Sequence, residues 1–144
     1  MPSHREHKIL PYSPQQMYDL VLDIENYPEF IPWCAGARIW ERKNDYLMAD
    51  VLVGYKLLRE KFTSKVFFKS GSEIQIEYMN GPLKHLHNGW IFLPEKPGQC
   101  LVDFTIDFEF HSKLLQGLVE SFFDKALKKM IDAFEARAHH IYKG

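Results

Sequence analysis

Cysteine is nearly missing from this sequence: Cys34 and Cys100 are the only thiols in 144 residues. That excludes a disulfide framework and a paired CxxC metal or redox site, and it makes a reduced, cytoplasmic setting the expectation. Neither sign of charge is in surplus. With a formal net charge of −1, no global field draws in DNA or an anionic membrane, so any partner is recognised locally. Long apolar runs are absent too. None approaches the roughly 18 residues of a spanning helix, and the polar stretch PSHREHK follows Met1 where a leader would be apolar, so membrane contact is expected to be peripheral or through a lipid ligand. Glycine is sparse and never clustered as a phosphate loop, and there is no nucleophile elbow and no HExxH.

What remains is apolar and aromatic. With 46% hydrophobic and 26% charged residues, positions 1–144 read as one domain, large enough to remove roughly two-thirds of its surface from water. Aromatic residues make up 15% of the chain, and Phe alone accounts for 11 of them. So many rings fit either a large apolar interior or an apolar ligand site. The densest stretch is NYPEFIPWC, Asn26 to Cys34, where Pro28 and Pro32 prevent regular helix and leave a bent connector. Its rings either plug the core or frame a cavity.

The periodicity changes along the chain. HKILPY reads as a short strand ending at Pro11. Ser13 and Pro14 then supply an N-cap and a first helical residue for Met17, Tyr18, Val21 and Leu22, and a further turn covers Asp23–Phe30. Alternation with a period of two follows: Ala37 and Ile39, then Ala49, Val51 and Val53, joined through the turn ERKND. Phe62, Ser64, Val66 and Phe68 pair across the turn KSGS with Ile74, Ile76 and Tyr78. NGPLKHLHNG reads as a loop before Trp90 and Phe92. PEKPGQ is a turn, and Cys100, Val102, Phe104, Ile106, Phe108 and Phe110 form the clearest alternation. From Ser112 as N-cap to about His140, apolar residues at helical spacing predict a helix roughly 40 Å long, able to cross the whole sheet. Its apolar sector covers nearly half the circumference, wider than one flat interface needs, which a curved sheet gripping the helix explains.

Candidate chemistry is thin. His85 and His87 form an HxH without a third ligand in sequence, so no metal site is assigned. His139 and His140 close the last helix, where cations suit its dipole. Glu60 shares strand parity with Phe62, Ser64 and Val66. It either faces a cavity as a head-group contact or general base, or reaches water at the strand start. Lys56, Arg59, Lys61, Lys65 and Lys69, with Lys84 beyond them, make either a solvated face or a surface for a phosphate-rich partner. Trp90 points inward with Phe92, as core or cavity wall. Trp40 has outward parity, covering a sheet edge or packing beneath the short helices. Trp33 is placed at an entrance, and Cys34 reads as a small buried hydrophobe.

One strand, two short helices, six further antiparallel strands and a long C-terminal helix is the order of the START-like helix-grip fold, an α+β architecture. The stretches ILPYSPQQMYDLVLDIENYPEFIPWC, LREKFTSKV, GPLKHLHNGWIFLPE and FEARA are similar to the coenzyme Q-binding protein family, whose bacterial members include a ribosome association toxin. The resemblance runs from about Ile9 to Ala138. It implies a noncatalytic protein that holds a polyprenyl quinone, ubiquinone by class, as a bound ligand rather than a cofactor, and supports respiration as chaperone or carrier. Carried over residue by residue, it places Tyr27, Pro28, Phe30, Pro32 and Trp33, and Gly81, Pro82, Leu83, Leu86 and Trp90, near the cavity mouth. Parity and helix phase, not the resemblance, add Phe62, Phe104, Phe108, Leu118, Phe122 and Met130 as wall residues. A start this close to the domain is expected of a bacterial member, cytoplasmic or peripheral at the inner membrane. The toxin members imply a second function, binding the large ribosomal subunit and blocking subunit joining, with Lys61, Lys65 and Lys84 as contacts. Aromatase or cyclase chemistry, found in other branches of the fold, is a third.

Overall fold

The computed structural model describes residues 3–55, 58–69 and 71–142. Lys56 of the basic series and Ser70 of the KSGS turn lie outside the described residues. In chain order the elements are β1 (Ser3–Leu10), α1 (Pro14–Leu22), a 3-10 helix (Ile24–Glu29), β2 (Cys34–Arg42), β3 (Tyr46–Tyr55), β4 (Leu58–Lys69), β5 (Glu73–Asn80), β6 (Leu83–Pro94), β7 (Cys100–Phe110) and α2 (Lys113–Tyr142). The strands form one seven-stranded antiparallel sheet, ordered β1-β7-β6-β5-β4-β3-β2. Strands β2 to β7 are a simple meander. Only β1 crosses over, to pair with the last strand.

Both helix starts follow from their caps. Ser13 Oγ accepts from Gln16 N at 3.1 Å while Gln16 Oε1 accepts from Ser13 N at 2.9 Å, a reciprocal capping box ahead of Pro14. Ser112 Oγ accepts from Leu115 N at 3.1 Å, and Gln116 Oε1 takes the N–H of Phe110 at 2.7 Å, fixing the corner between β7 and α2. From there α2 runs 30 residues, about 45 Å.

Two segments depart from the sequence expectation. β1 starts at Ser3, well before the apolar run, and carries polar residues on both faces because it is an edge strand beside the charged flank of α2. Lys8 forms an ion pair with Glu135 there. The expected loop NGPLKHLHNG is instead a tight turn followed by β6, in which Leu83 pairs with Phe110 and Leu86 with Phe108 around a bulge at Lys84. Gly81 makes that turn. Its φ is +145°, and a Cβ there would lie 2.8 Å from the Lys61 carbonyl oxygen and from Tyr78 Oη. Asn88 is buried in β6 with its hydrogen bonds met: Nδ2 donates to Thr105 O at 2.7 Å, and Oδ1 accepts from Trp90 Nε1 at 3.2 Å. Trp40 sits at a bulge of β2, 49% exposed on the outer face, with Nε1 donating to Asp50 at 3.3 Å.

The C-terminal half of α2 packs into the main core. Phe134 is edge-on to Tyr27, Phe30 and Trp90, with ring centroids 5.5, 5.3 and 5.3 Å away, and Ala138 is fully buried. Tyr142 Oη donates to Gln16 O at 2.7 Å, tying the last turn to α1. A separate apolar cluster of Leu83, Phe108, Phe110, Val119 and Phe122 lies under the N-terminal half.

Candidate functional site

The second cluster is incomplete. Between the first turns of α2 and the inner face of β3, β4, β6 and β7 is a cavity of about 150 Å³. Strand alternation puts Val53, Phe62, Leu83, Leu86, Phe108 and Phe110 on its floor, and helical spacing puts Val119, Phe122, Phe123 and Ala126 on its roof. Trp33 closes one side. It is held there because Gly54 N donates to its carbonyl at 2.8 Å and Cys34 begins the pairing of β2 with Val53. The lining is apolar throughout and carries no titratable side chain. The indole Nε1 of Trp33 is buried without a hydrogen-bond partner among the described residues. Leu114, 86% exposed, begins α2 a turn ahead of Leu118, which packs against the same cluster.

The expected site residues divide between this cavity and the packed core. Trp33, Phe62, Leu83, Leu86, Phe108 and Phe122 line the cavity. Trp90 and Phe104 also point inward, but toward the other half. They meet at 4.8 Å and border a void of about 50 Å³ beside β1, scarcely more than a few water positions. Phe30 stacks edge-on to Tyr27 at 5.9 Å with the Arg137 guanidinium 5.1 Å from its ring centre, Met130 packs against the main core, and Pro32 is exposed. Tyr27, in the same connector, is partly buried. Its hydroxyl donates to Val21 O, and desolvation pushes its pKa up. Val53, Phe110, Val119, Phe123 and Ala126 line the cavity without having been singled out as site residues, though 119, 122, 123 and 126 are an i, i+3, i+4, i+7 stripe.

Glu60 shares the inner parity and stands opposite Val53, half-buried, but is not part of the cavity lining. On the outer face, Lys61 and Lys65 share one row of β4, whereas Lys84 lies on β6 with its ammonium 3.4 Å from Glu109. His85 Nε2 is 3.2 Å from Asp107, and His87 Nε2 is 2.9 Å from Gln75, both on the outer face. Among the described residues no three His, Cys, Asp or Glu side chains are grouped to hold a metal ion. Burial raises the pKa of the Cys34 thiol and pushes Cys100 up to about 11, which leaves both protonated and poor nucleophiles. Two hydrogen bonds from Arg5, at 2.8 and 3.2 Å, hold the Asp103 carboxyl below its usual range on the outer face.

A seven-stranded antiparallel sheet with two short helices after β1 and a long C-terminal helix across its inner face defines a START-like helix-grip protein. A START superfamily protein from Mycobacterium smegmatis has the same fold, with a TM-score of 0.83 at 18% identity over 96% of this chain and 98% of that one. The chain belongs to the polyketide cyclase/dehydrase and lipid transport family, which it matches over residues 10–135. It is 39% identical to a ribosome association toxin, RatA, of Rickettsia prowazekii, over 99% of this chain and all of that protein. It is also 35% identical to the mitochondrial coenzyme Q-binding protein COQ10 homolog B of Xenopus laevis, over 96% of this chain and 59% of that protein. No helix among the described residues is long and apolar enough to cross a membrane.

Proposed function

We propose that the chain binds a polyprenyl quinone of the ubiquinone class in the cavity under α2, without chemistry, as a chaperone or carrier in bacterial respiration. It would act in the cytoplasm or at the surface of the inner membrane. The observation that carries this reading is the wholly apolar void of about 150 Å³ beside Trp33. A void of about that size accommodates one benzene-sized ring. It therefore takes one ring or isoprene group, and a longer tail extends past Leu114 or lifts the first turns of α2. The relative named for coenzyme Q binding supports the choice of ligand. The family also includes cyclases, but this lining supplies neither acid nor base for that chemistry.

The test is direct. An organic extract of freshly purified protein, read by mass spectrometry, should contain polyprenyl quinone, and delipidated protein should show saturable quenching of tryptophan emission by short-chain ubiquinone. Delipidated protein that takes up no polyprenyl quinone ends this reading.

The full-length likeness to a ribosome association toxin favours a second reading, that the chain also binds the large ribosomal subunit and blocks joining. Added to dissociated subunits, the wild-type protein should then deplete the joined-ribosome peak in a gradient profile. An unchanged profile removes the idea.

A further inference from the structure

We infer that the outer face of β4 is a binding surface for a single RNA strand. This deepens the ribosome-association reading by naming RNA backbone as the chemistry contacted. The strand LREKFTSKVFFK places Arg59, Lys61, Lys65 and Lys69 at odd positions, all on the face turned away from α2. Alternate residues repeat every ~7 Å and the row extends over ~33 Å, so the cations form a line along one strand.

Among the described residues no ion pair engages Arg59, Lys61, Lys65 or Lys69, whereas Lys8, Lys43, Lys84 and Lys128 are each paired. Lys65 faces Glu77 across the β4–β5 register, yet its ammonium leans the other way, 4.3 Å from the ring centre of Tyr46 and 5.0 Å from that of Phe67. Asp50, beside the row on β3, is surrounded by donors: Thr63 Oγ1 at 2.7 Å, Trp40 Nε1 at 3.3 Å and Arg38 Nη2 at 3.8 Å. The β4–β5 register ends at Thr63 and Asn80, which leaves Lys61 and Arg59 without a β5 neighbour.

Aromatic rings interleave with the cations on the same face. Trp40, Tyr46 and Phe67 lie within one or two strands of the row, and Trp40 is half exposed. A linear file of cations with adjacent ring faces suits a single-stranded polyanion whose bases stack, the combination used by sequence-tolerant single-strand binders. An anionic bilayer is a plane and makes no use of a file.

The test is fluorescence anisotropy with a labelled, mixed-sequence, ~12-nucleotide single-stranded RNA as the probe. Wild type should bind with a log–log salt slope of about −2 to −3, as for three or four phosphates at ~0.7 each. Lys61→Glu with Lys65→Glu should weaken binding at least ~10-fold near 50 mM salt and flatten the slope by about 1.4. The charge-matched control, Lys96→Glu with Lys125→Glu on exposed positions elsewhere, should keep the wild-type slope. Trp40→Ala should weaken binding without altering the slope. Equal losses in both double variants, no RNA binding by wild type, or binding only to phosphatidylglycerol vesicles overturns the proposal. The subunit profile separates the two ideas. A row variant that loses RNA but still blocks joining leaves the RNA surface standing and severs it from the ribosome reading.

Discussion

Ala126→Phe should weaken quinone binding on the order of 100-fold while leaving the protein folded. Ala126 forms part of the cavity roof, and a phenyl ring placed there fills a void of about 150 Å³ with apolar atoms of the right size. An isoprene group denied that space forfeits about 4 kcal/mol of gross burial, at ~0.8 kcal/mol per methylene-sized group. After the cost of ordering a flexible tail, about 2–3 kcal/mol of that remains, so affinity should fall on the order of 100-fold. The melting temperature should hold or rise, since the new ring replaces empty space. Titration of short-chain ubiquinone into wild type and variant decides the matter. Equal affinities with an intact fold would place the ligand elsewhere.

Phe134→Ala should have the opposite profile, a large loss of stability. Phe134 is buried at the meeting point of Tyr27, Phe30 and Trp90, where the rings from the 3-10 helix, the connector and β6 converge on α2. Truncating a ring in such a place costs about 3–5 kcal/mol, transfer and cavity terms together. For a chain of this length that lowers the melting temperature by roughly 10–15 °C. Thermal and urea unfolding read it directly. A loss under ~1 kcal/mol would mean that this half of the core collapses freely around the gap.

Much of the architecture was legible because several local signals agreed. Ser13 with Pro14 and Ser112 marked both helix starts, and the alternation from Cys100 to Phe110 marked the strand on which α2 closes. The failures have physical causes. β1 hides its inner parity because His4, Glu6 and Lys8 face the charged flank of α2 rather than the core. The first half of β6 reads as a loop because Gly81 and Pro82 precede it, Lys84 is a bulge, and its buried Asn88 is polar.

The site was legible only in part, for a related reason. Strand parity tells which face a residue occupies but not how far along α2 it lies. Phe62 and Phe104 have the same inward parity, yet one reaches the cavity and the other the packed half. On the helix the limit is phase. Leu118 precedes Val119 by one residue, about 100° of rotation, and it is Val119 that lines the cavity.

The helix that covers the cavity is held unequally. Its last turns are fastened by the Tyr142 hydroxyl on Gln16, by Arg137 3.5 Å from Glu29, and by the rings around Phe134, while its start is pinned only at the Phe110–Gln116 corner and by Val119 and Phe122 over the void. It behaves as a beam supported at both ends and more heavily at one. A cargo too long for the chamber bows the span near its lighter support and leaves the heavier one undisturbed, so latitude for tail length resides in the beam and not in the walls.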